Sequence, residues 1–235
     1  MIAGLLEIGM KQPLHTRVER LSQREDYCRL AYVSDIHLRR NRSKLLCQQI
    51  LEAAHLAAAD ALLLGGDLVD TESELLHLRE LVAELSSLAP VLAIAGNHDQ
   101  QVGIAAVGNA VIDGGGRWIQ SDTHYLTHGS RIITVSGPEA MPVLDGDFRV
   151  LSAHNPRIWA TARKQRYDLV LAGHLHGCQL VAYQFRDRLY PGAFFYPYCY
   201  LSHQDASTRL VVSRGVSDLL PIRWRCPREI VVCEV

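Results

Sequence analysis

Short apolar runs alternate with helix-like patterns through the first half of the chain. Three runs have the length and composition of buried strands, at residues 29–34, 61–64 and 91–95. Apolar residues recur at helical spacing across residues 44–58, and Thr71 with Glu74 matches a capping box that predicts the start of a second helix. This alternation predicts right-handed crossovers in a parallel or mixed sheet.

The second half of the chain is richer in strand patterns. Candidate strands lie at residues 132–136, 149–153, 169–172, 179–183, 210–213 and 230–233. One helix is predicted between them, with Asn155 as its N-cap, Pro156 at its first position and an end near Arg166. Strands in both halves, with helices between them, predict an α/β fold in which two sheets pack face to face and are flanked by helices.

Composition indicates an ordinary globular protein of one domain. The chain has 235 residues, 48% hydrophobic and 21% charged, with a formal net charge of -1, so no overall positive field favours nucleic acid. We expect a single domain over residues 1–235, with residues 1–28 as a lead-in. The first residues are too few to span a bilayer and lack the features of a secretory signal. Six cysteines without disulfide-like spacing favour reduced thiols and a cytoplasmic location.

Five short polar clusters carry the candidate chemistry, and each follows a strand-like run. They are Asp35-Ile36-His37, Gly66-Asp67-Leu68-Val69-Asp70, Gly96-Asn97-His98-Asp99, His154-Asn155-Pro156 and Gly173-His174-Leu175-His176. Loops at the carboxyl ends of strands in an open α/β sheet meet at one edge, so we expect these clusters to converge. Glycines at 66, 96 and 173 should permit the backbone turns that this needs.

The residue types in these clusters suit a pair of divalent transition-metal ions. Imidazole and carboxylate groups bind Mn, Fe and Zn without a thiolate. The carboxylate of Asp67 has two oxygens and can bridge two ions about 3.5–4 Å apart. Each cluster also has an ordinary interpretation: Asp67 and Asp70 as turn residues, Asn97 in a left-handed turn, and Asp99 as a helix cap. The five in order, each after a strand, favour the metal site.

In this order, D-x-H, G-D-x-x-D, G-N-H-D, H-x-P and G-H-x-H resemble the motifs of the calcineurin-like metallophosphoesterases. The motifs span residues 29–177, and GHLHGCQ is similar to the small bacterial phosphodiesterase branch, some members of which are membrane-associated. The resemblance implies a four-layer α/β/β/α sandwich of two mixed sheets. It also implies a phosphoesterase in which a metal-bridging hydroxide attacks phosphorus in line.

The resemblance further implies roles for particular residues. One ion would be held by Asp35, His37, Asp67 and His176, and the other by Asp67, Asn97, His154 and His174. His98 would stabilise charge or protonate the leaving group, with Asp70 orienting its ring. Thr71 and Asp99 depart from the protein Ser/Thr phosphatase pattern and argue against that branch. Cys178 stands where close relatives commonly have glycine. Its thiol could narrow the pocket, make it sensitive to oxidation, or pack as an inert group.

Two weaker features bear on the substrate. Arg39, Arg40 and Arg42 follow the first cluster, as either a phosphate-binding group or a solvated loop. Residues 183–200 hold eight of the sixteen aromatic residues. This segment could contact a substrate or a membrane, form a dimer surface, or pack on itself as a loop. The expected partner is a phosphoester, either a small molecule or lipid-linked, with a phosphodiester preferred because no cap domain is evident. The alternatives are a UDP-2,3-diacylglucosamine-type pyrophosphatase, with peripheral contact at the inner face of a membrane, and a non-catalytic scaffold.

Overall fold

The computed structural model describes residues 6–205 and 207–235, which form two large sheets, two small ones and surrounding helices. The strands are β1 (Leu6–Ile8), β2 (His15–Arg20), β3 (Arg29–Val33), β4 (Ala61–Gly65), β5 (Val91–Ile94), β6 (Arg117–Trp118), β7 (Thr123–His128), β8 (Arg131–Ser136), β9 (Phe148–Ser152), β10 (Leu169–Ala172), β11 (Tyr183–Phe185), β12 (Arg188–Tyr190), β13 (Ser202–Asp205), β14 (Thr208–Val212), β15 (Ile222–Trp224) and β16 (Glu229–Glu234). The helices are α1 (Ser43–Ala57), α2 (Leu75–Ser86), α3 (Asp99–Val102), α4 (Ile104–Asp113), α5 (Trp159–Lys164) and α6 (Gly192–Phe195).

Both large sheets are mixed and six-stranded. The first has the order β2-β16-β3-β4-β5-β6, and the second has the order β13-β14-β10-β9-β8-β7. Strands β3, β4 and β5 are parallel neighbours in the first sheet, as are β9 and β10 in the second. The carboxyl ends of β3, β4 and β5 therefore lie side by side, as do those of β9 and β10, which is where the five polar clusters begin.

Three buried apolar clusters define four layers. Helices α1, α2 and α4 pack on the outer face of the first sheet, where Leu46, Ile50 and Val82 belong to one cluster. A second cluster, which includes Leu63 and Ile133, fills the space between the two sheets. A third places α5 on the outer face of the second sheet. The predicted four-layer α/β/β/α sandwich is confirmed.

Two local predictions at element boundaries are wrong. The capping box fails because the side chain of Thr71 makes no cap hydrogen bond, and Glu74 instead accepts a 2.6 Å hydrogen bond from Ser43. A short 3-10 turn, Glu72–Glu74, precedes α2. The strand predicted at 179–183 is replaced by an irregular segment, because buried Gln179 has φ 56° and its side-chain amide bonds the backbone of Leu220.

The predicted start of the second-half helix is confirmed. The side chain of Asn155 accepts a 3.0 Å hydrogen bond from the Arg157 amide, and Pro156 opens a 3-10 turn that leads into α5. Residues 6–8 and 15–20 of the predicted lead-in form β1 and β2. Residues 1–5 lie outside the described part of the chain. A single domain over residues 1–235 stays a prediction. Within the described ranges, no helix combines the length and apolarity needed to cross a membrane.

Candidate metal centre

The deeper part of the site is a cluster of three buried side chains. A ligand atom from each of Asp35, His37 and His176 lies within 4.8 Å of the other two. His37 Nε2 is 3.3 Å from His176 Nε2, and His176 Nε2 is 3.6 Å from Asp35 Oδ1. Two ring nitrogens and a carboxylate thus converge on one point. We call these three residues the inner cluster.

A second cluster lies beside it and is more open. It contains Asp67, His154 and His174, whose ligand atoms are again within 4.8 Å of one another, and Asn97 completes it. His154 Nε2 is 3.1 Å from both Asp67 Oδ2 and Asn97 Oδ1, and 3.2 Å from His174 Nδ1. Asn97 is exposed and His174 is half-buried. We call these four residues the outer cluster.

Asp67 connects the two clusters. Its Oδ2 lies 3.7 Å from His37 Nε2 in the inner cluster and 3.1 Å from His154 Nε2 in the outer one. Its Oδ1 accepts a 2.8 Å hydrogen bond from the His98 amide, which fixes the orientation of the carboxylate. One carboxylate oxygen therefore faces both clusters.

The chemistry of these donors fits divalent metal ions. Neighbouring N and O ligands of an ion at 2.0–2.2 Å stand roughly 3.0–3.4 Å apart, close to the separations around His154. The remaining nitrogen of three rings is already used: His37 Nδ1 bonds Asp70 at 2.7 Å, His154 Nδ1 bonds the Gly65 carbonyl at 3.0 Å, and His176 Nδ1 bonds the Ser217 carbonyl at 3.1 Å. These bonds put the ring protons on Nδ1 and leave each Nε2 as a lone-pair donor facing the centre.

Electrostatics in the metal-free chain point the same way. Burial acts to lower the pKa of His154, but its hydrogen bond to Asp67 and the charges of Asp35 and Asp67 outweigh burial and raise it to about 9. Burial likewise opposes ionisation of Asp67, yet His154 and the His98 amide hold the pKa of that carboxyl well below its usual range. Asp35 and Asp67 thus stabilise positive charge at His154, whereas burial lowers the pKa of His174 and His176 and favours their neutral rings, the form that binds a metal.

Five residues of the two clusters have an uncommon backbone conformation. Asp35, His37, Asp67, His174 and His176 all have φ between 48° and 72°. Non-glycine residues adopt this region uncommonly, and clusters of them mark sites where the surrounding structure enforces a particular geometry. The chain turns sharply after β3, β4 and β10, and after β3 and β10 this brings side chains at positions i and i+2 toward the same centre.

The glycines act in two different ways. Gly66 has φ 86°, so it supplies the turn that was predicted. Gly96 and Gly173 instead permit close packing: a Cβ on Gly96 would stand 2.1 Å from Asp67 Oδ1, and one on Gly173 would stand 2.5 Å from Asp35 Oδ2. Any side chain at either position would displace a carboxylate of the centre.

His98 and Asp70 lie at the rim. His98 Nδ1 is 3.1 Å from Asp70 Oδ1, and the same oxygen is 2.7 Å from His37 Nδ1. The His98 ring stands edge-on to His37, with ring centroids 4.5 Å apart. Burial acts to raise the pKa of Asp70, but the hydrogen bond to His37 and the charges of His37 and His98 lower it below its ordinary value. Asp70 thus orients a ring of the inner cluster and the rim histidine together.

Three positioning residues were not found from the sequence. Asp99 is fully buried, and its carboxylate accepts hydrogen bonds from the amides of Leu68, Val69 and Gly96. It therefore ties the loop bearing Asp67 to the loop bearing Asn97 and does not act as a helix cap. Buried Arg223 donates at 2.7 Å to the Ser217 carbonyl that holds His176.

The third is Gly215, in the segment that covers the inner cluster. Its φ is 73°, and a Cβ there would lie 2.9 Å from Asp35 Cβ. Only a residue without a side chain lets this segment approach Asp35 so closely. Gly-Val after an arginine gave no clear signal in the sequence, because the contact joins residues 180 positions apart.

The features singled out for substrate choice are arranged as follows. Arg39 donates to the Asp218 carbonyl at 2.9 Å, and Arg40 is exposed. Cys178 Sγ is 3.1 Å from Cys199 Sγ, which joins the loop bearing His174 and His176 to the aromatic segment 183–200. In that segment Tyr183 stacks on Tyr190 with ring centroids 4.6 Å apart, while Phe194 and Phe195 are exposed. The segment is thus partly self-packed and partly an apolar surface.

Comparisons with known proteins identify the family of the chain. The family model for the calcineurin-like phosphoesterase superfamily domain matches residues 28–211. The chain is 24% identical over 223 residues to Phosphodiesterase YaeI of Escherichia coli (strain K12), covering 88% of this chain and 82% of that protein. It is 26% identical over 225 residues to the uncharacterized metallophosphoesterase YkuE of Bacillus subtilis (strain 168), covering 88% and 78%. A dimetal phosphatase from Danio rerio is a structural neighbour at 10% identity and TM-score 0.49, covering 89% of this chain and 99% of that one.

Proposed function

Because the chain belongs to the calcineurin-like phosphoesterase superfamily, and so is a metal-dependent phosphoester hydrolase, we propose that it is a phosphodiesterase with a binuclear centre. The inner ion is held by Asp35, His37, Asp67 and His176. The outer ion is held by Asp67, Asn97, His154 and His174. Mn, Fe and Zn all accept such a ligand set.

The observation that carries this proposal is the position of Asp67. Its Oδ2 is within 3.7 Å of a ring nitrogen in each cluster, as a bridging carboxylate requires. Two ions bound here would neutralise phosphate charge and lower the pKa of a water molecule, so that attack on phosphorus proceeds near neutral pH. The protein's own contribution is to fix the donors and to present His98 to the ester.

His98 is the proposed catalytic acid. Its Nδ1 is held by Asp70, which leaves Nε2 to stabilise a phosphoryl oxygen or to protonate the departing alkoxide. His98 is half-buried, and its ring stands edge-on to His37 at the rim of the inner cluster, where a bound ester could contact it.

A diester is the preferred substrate because the outer side of the centre is open. Asn97 is exposed and His174 is half-buried, so a phosphate with two organic groups can reach the outer ion. The name of the E. coli relative, a phosphodiesterase, supports the same choice.

The direct test is hydrolysis of bis-p-nitrophenyl phosphate by chelated protein, before and after manganese is restored. We expect turnover only with metal. In a second comparison, we expect kcat/KM to be higher for the diester than for the monoester p-nitrophenyl phosphate. Metal content measured in the same samples should approach two ions per chain. Folded protein with both ions but no turnover of any ester would support the non-catalytic scaffold instead.

The second candidate is a pyrophosphatase that cleaves UDP-2,3-diacylglucosamine or a similar lipid-linked nucleotide. Its motivation is the exposed apolar surface of the aromatic segment, where Phe194 and Phe195 are 70% and 76% exposed. Such a surface would also give peripheral contact with a membrane. Cleavage of detergent-dispersed UDP-diacylglucosamine, at a kcat/KM above that for simple diesters, would favour this candidate. Failure to cleave it would exclude this candidate.

A further inference from the structure

A second group of metal-ligand side chains lies at the opposite end of the sandwich. Cys28 immediately precedes β3, Asp60 immediately precedes β4, and His128 ends β7. The centre described above begins at the other end of β3, and the eight residues from Cys28 to Asp35 span about 23 Å in an extended chain. This group is therefore separate from that centre.

The ligand atoms of this group are close together. One atom from each of Cys28, Asp60 and His128 lies within 4.8 Å of the other two. His128 Nδ1 is 3.7 Å from Asp60 Oδ2. The ligands of one tetrahedral Zn²⁺ ion stand roughly 3.3–3.8 Å apart, given bonds of 2.3 Å to sulfur and about 2.0 Å to nitrogen or oxygen. Closure of the group around an ion requires shifts of about 1 Å.

The surrounding contacts orient the group as metal sites commonly do. His128 Nε2 lies 2.9 Å from Asp26 Oδ1, and this contact orients the ring with Nδ1 toward Asp60. Asp60 is fixed by the Arg29 amide, which donates to its Oδ2 at 2.7 Å. A carboxylate behind a metal-ligating histidine commonly fixes the orientation of its ring.

The metal-free alternative is an ordinary polar cluster in which the thiol of Cys28 donates to Asp60. In that state burial and the Asp60 charge raise the pKa of the Cys28 thiol to about 12. The charge of Arg131 acts against this shift without reversing it. The thiol, the imidazole and the carboxylate are a mixed S, N and O donor set, which a borderline divalent cation matches.

We propose that Cys28, Asp60 and His128 bind a structural Zn²⁺ ion, with water as the fourth ligand. Binding displaces the thiol proton of Cys28 to solvent and forms bonds from Sγ, the Asp60 carboxylate and His128 Nδ1. Cys28 and Asp60 directly precede strands of the first sheet, and His128 ends a strand of the second. The ion therefore joins the two sheets at the end remote from the catalytic centre.

Cobalt substitution separates this site from the catalytic one. Only a thiolate ligand gives cobalt(II) an intense sulfur-to-metal charge-transfer band in the near ultraviolet, and the catalytic ligand set contains no thiolate. Chelated full-length protein titrated with Co²⁺ should develop this band together with the weaker visible bands of the catalytic centre. Total binding should reach three ions per chain.

The variants Cys28→Ser and His128→Ala should lose the band and bind one ion fewer, while keeping the visible bands. Cys178→Ser and Cys47→Ser are matched thiol controls and should retain the band. Asp26→Asn should keep the band but weaken Co²⁺ binding at this site by about 10- to 100-fold. His128 lies at the end of an edge strand, so its variant remains informative if Cys28→Ser does not fold.

Thermal unfolding gives a second readout. Zn²⁺ added to wild-type protein that already holds its catalytic ions should raise Tm further, and the rise should be absent in His128→Ala. The proposal is overturned if saturating Co²⁺ gives no charge-transfer band in wild-type protein, or if the band persists in both Cys28→Ser and His128→Ala. Neither outcome depends on ester hydrolysis, so a failure here is distinct from a failure of the proposed phosphodiesterase activity.

Discussion

The two clusters of the catalytic centre use similar donors but differ in burial. Asp35, His37 and His176 of the inner cluster are 0–2% exposed, and the segment around Gly215 covers them. The outer cluster ends in exposed Asn97 and half-buried His174. If each cluster binds an ion as proposed, the inner ion would be shielded by protein and the outer ion would meet solvent and substrate. Asp67, common to both, should be the most sensitive residue.

The largest effect is expected from Asp67→Asn, which removes the shared charge from both clusters. Loss of the bridge should abolish stable binding of both ions and reduce kcat/KM on a diester by at least about 10⁴-fold. Metal content by elemental analysis, measured beside activity, checks this outcome. Retention of one full equivalent of tightly bound metal would show that the inner cluster is complete without Asp67.

His98→Ala tests a residue that lies outside both clusters. We expect both ions to remain and kcat on an alkyl diester to fall by about 10²- to 10³-fold, because protonation of the leaving group is lost. The loss should be smaller with p-nitrophenyl esters, since their leaving group needs little protonation. Exposed His55, replaced by Ala, is the control. Equal rates for wild type and His98→Ala on the alkyl diester would remove this role.

Asp70→Asn tests the link between the inner cluster and the rim. The variant loses the charge that orients His37 and His98, and we expect activity to fall by about 10- to 100-fold. Inner-ion affinity should weaken while outer-ion affinity stays the same, as measured by metal titration. Asp145→Asn, a change at an exposed loop position, is the matched control. If only the affinity for the outer ion fell, the assignment of His37 to the inner ion would be wrong.

The smallest effect concerns the rate of metal loss from wild-type protein. A chelator should remove the two ions in two phases, several-fold apart, because solvent reaches the outer cluster directly and the inner one only after the covering segment moves. Stopped-flow detection of the chelated metal resolves the phases. A single phase of two equivalents would contradict the difference between the clusters.

Most of the centre was predictable because its residues follow strands in a fixed order. Parallel strands bring their carboxyl ends together, so the seven predicted ligand residues needed only correct strand assignments to be placed near one another. The structure brings all seven together, and their roles as ligands stay predictions. The four-layer fold was predictable for the same reason, from apolar runs at residues 61–64, 91–95 and 169–172.

What the sequence did not reveal depends on long-range contacts. Gln179 lies in an apolar stretch that resembles a strand, but its side chain binds the backbone of Leu220, 41 positions away. Helix α4 was missed because eight residues of its sequence, IAAVGNAVID, are apolar or glycine, which obscures the buried face formed by Val107, Ala110 and Val111. Arg223 and Gly215 act on the centre from the far end of the chain, where a local pattern carries no information.

The buried carboxylate of Asp99 has a consequence for the dynamics of the catalytic loops. It accepts the amide protons of Leu68, Val69 and Gly96, which belong to two different loops. Exposure of any of these amides to solvent requires its hydrogen bond to the Asp99 carboxylate to break. The three amides should therefore exchange with deuterium as one cooperative unit, although about 30 positions separate the loops. We therefore expect the two loops to open together.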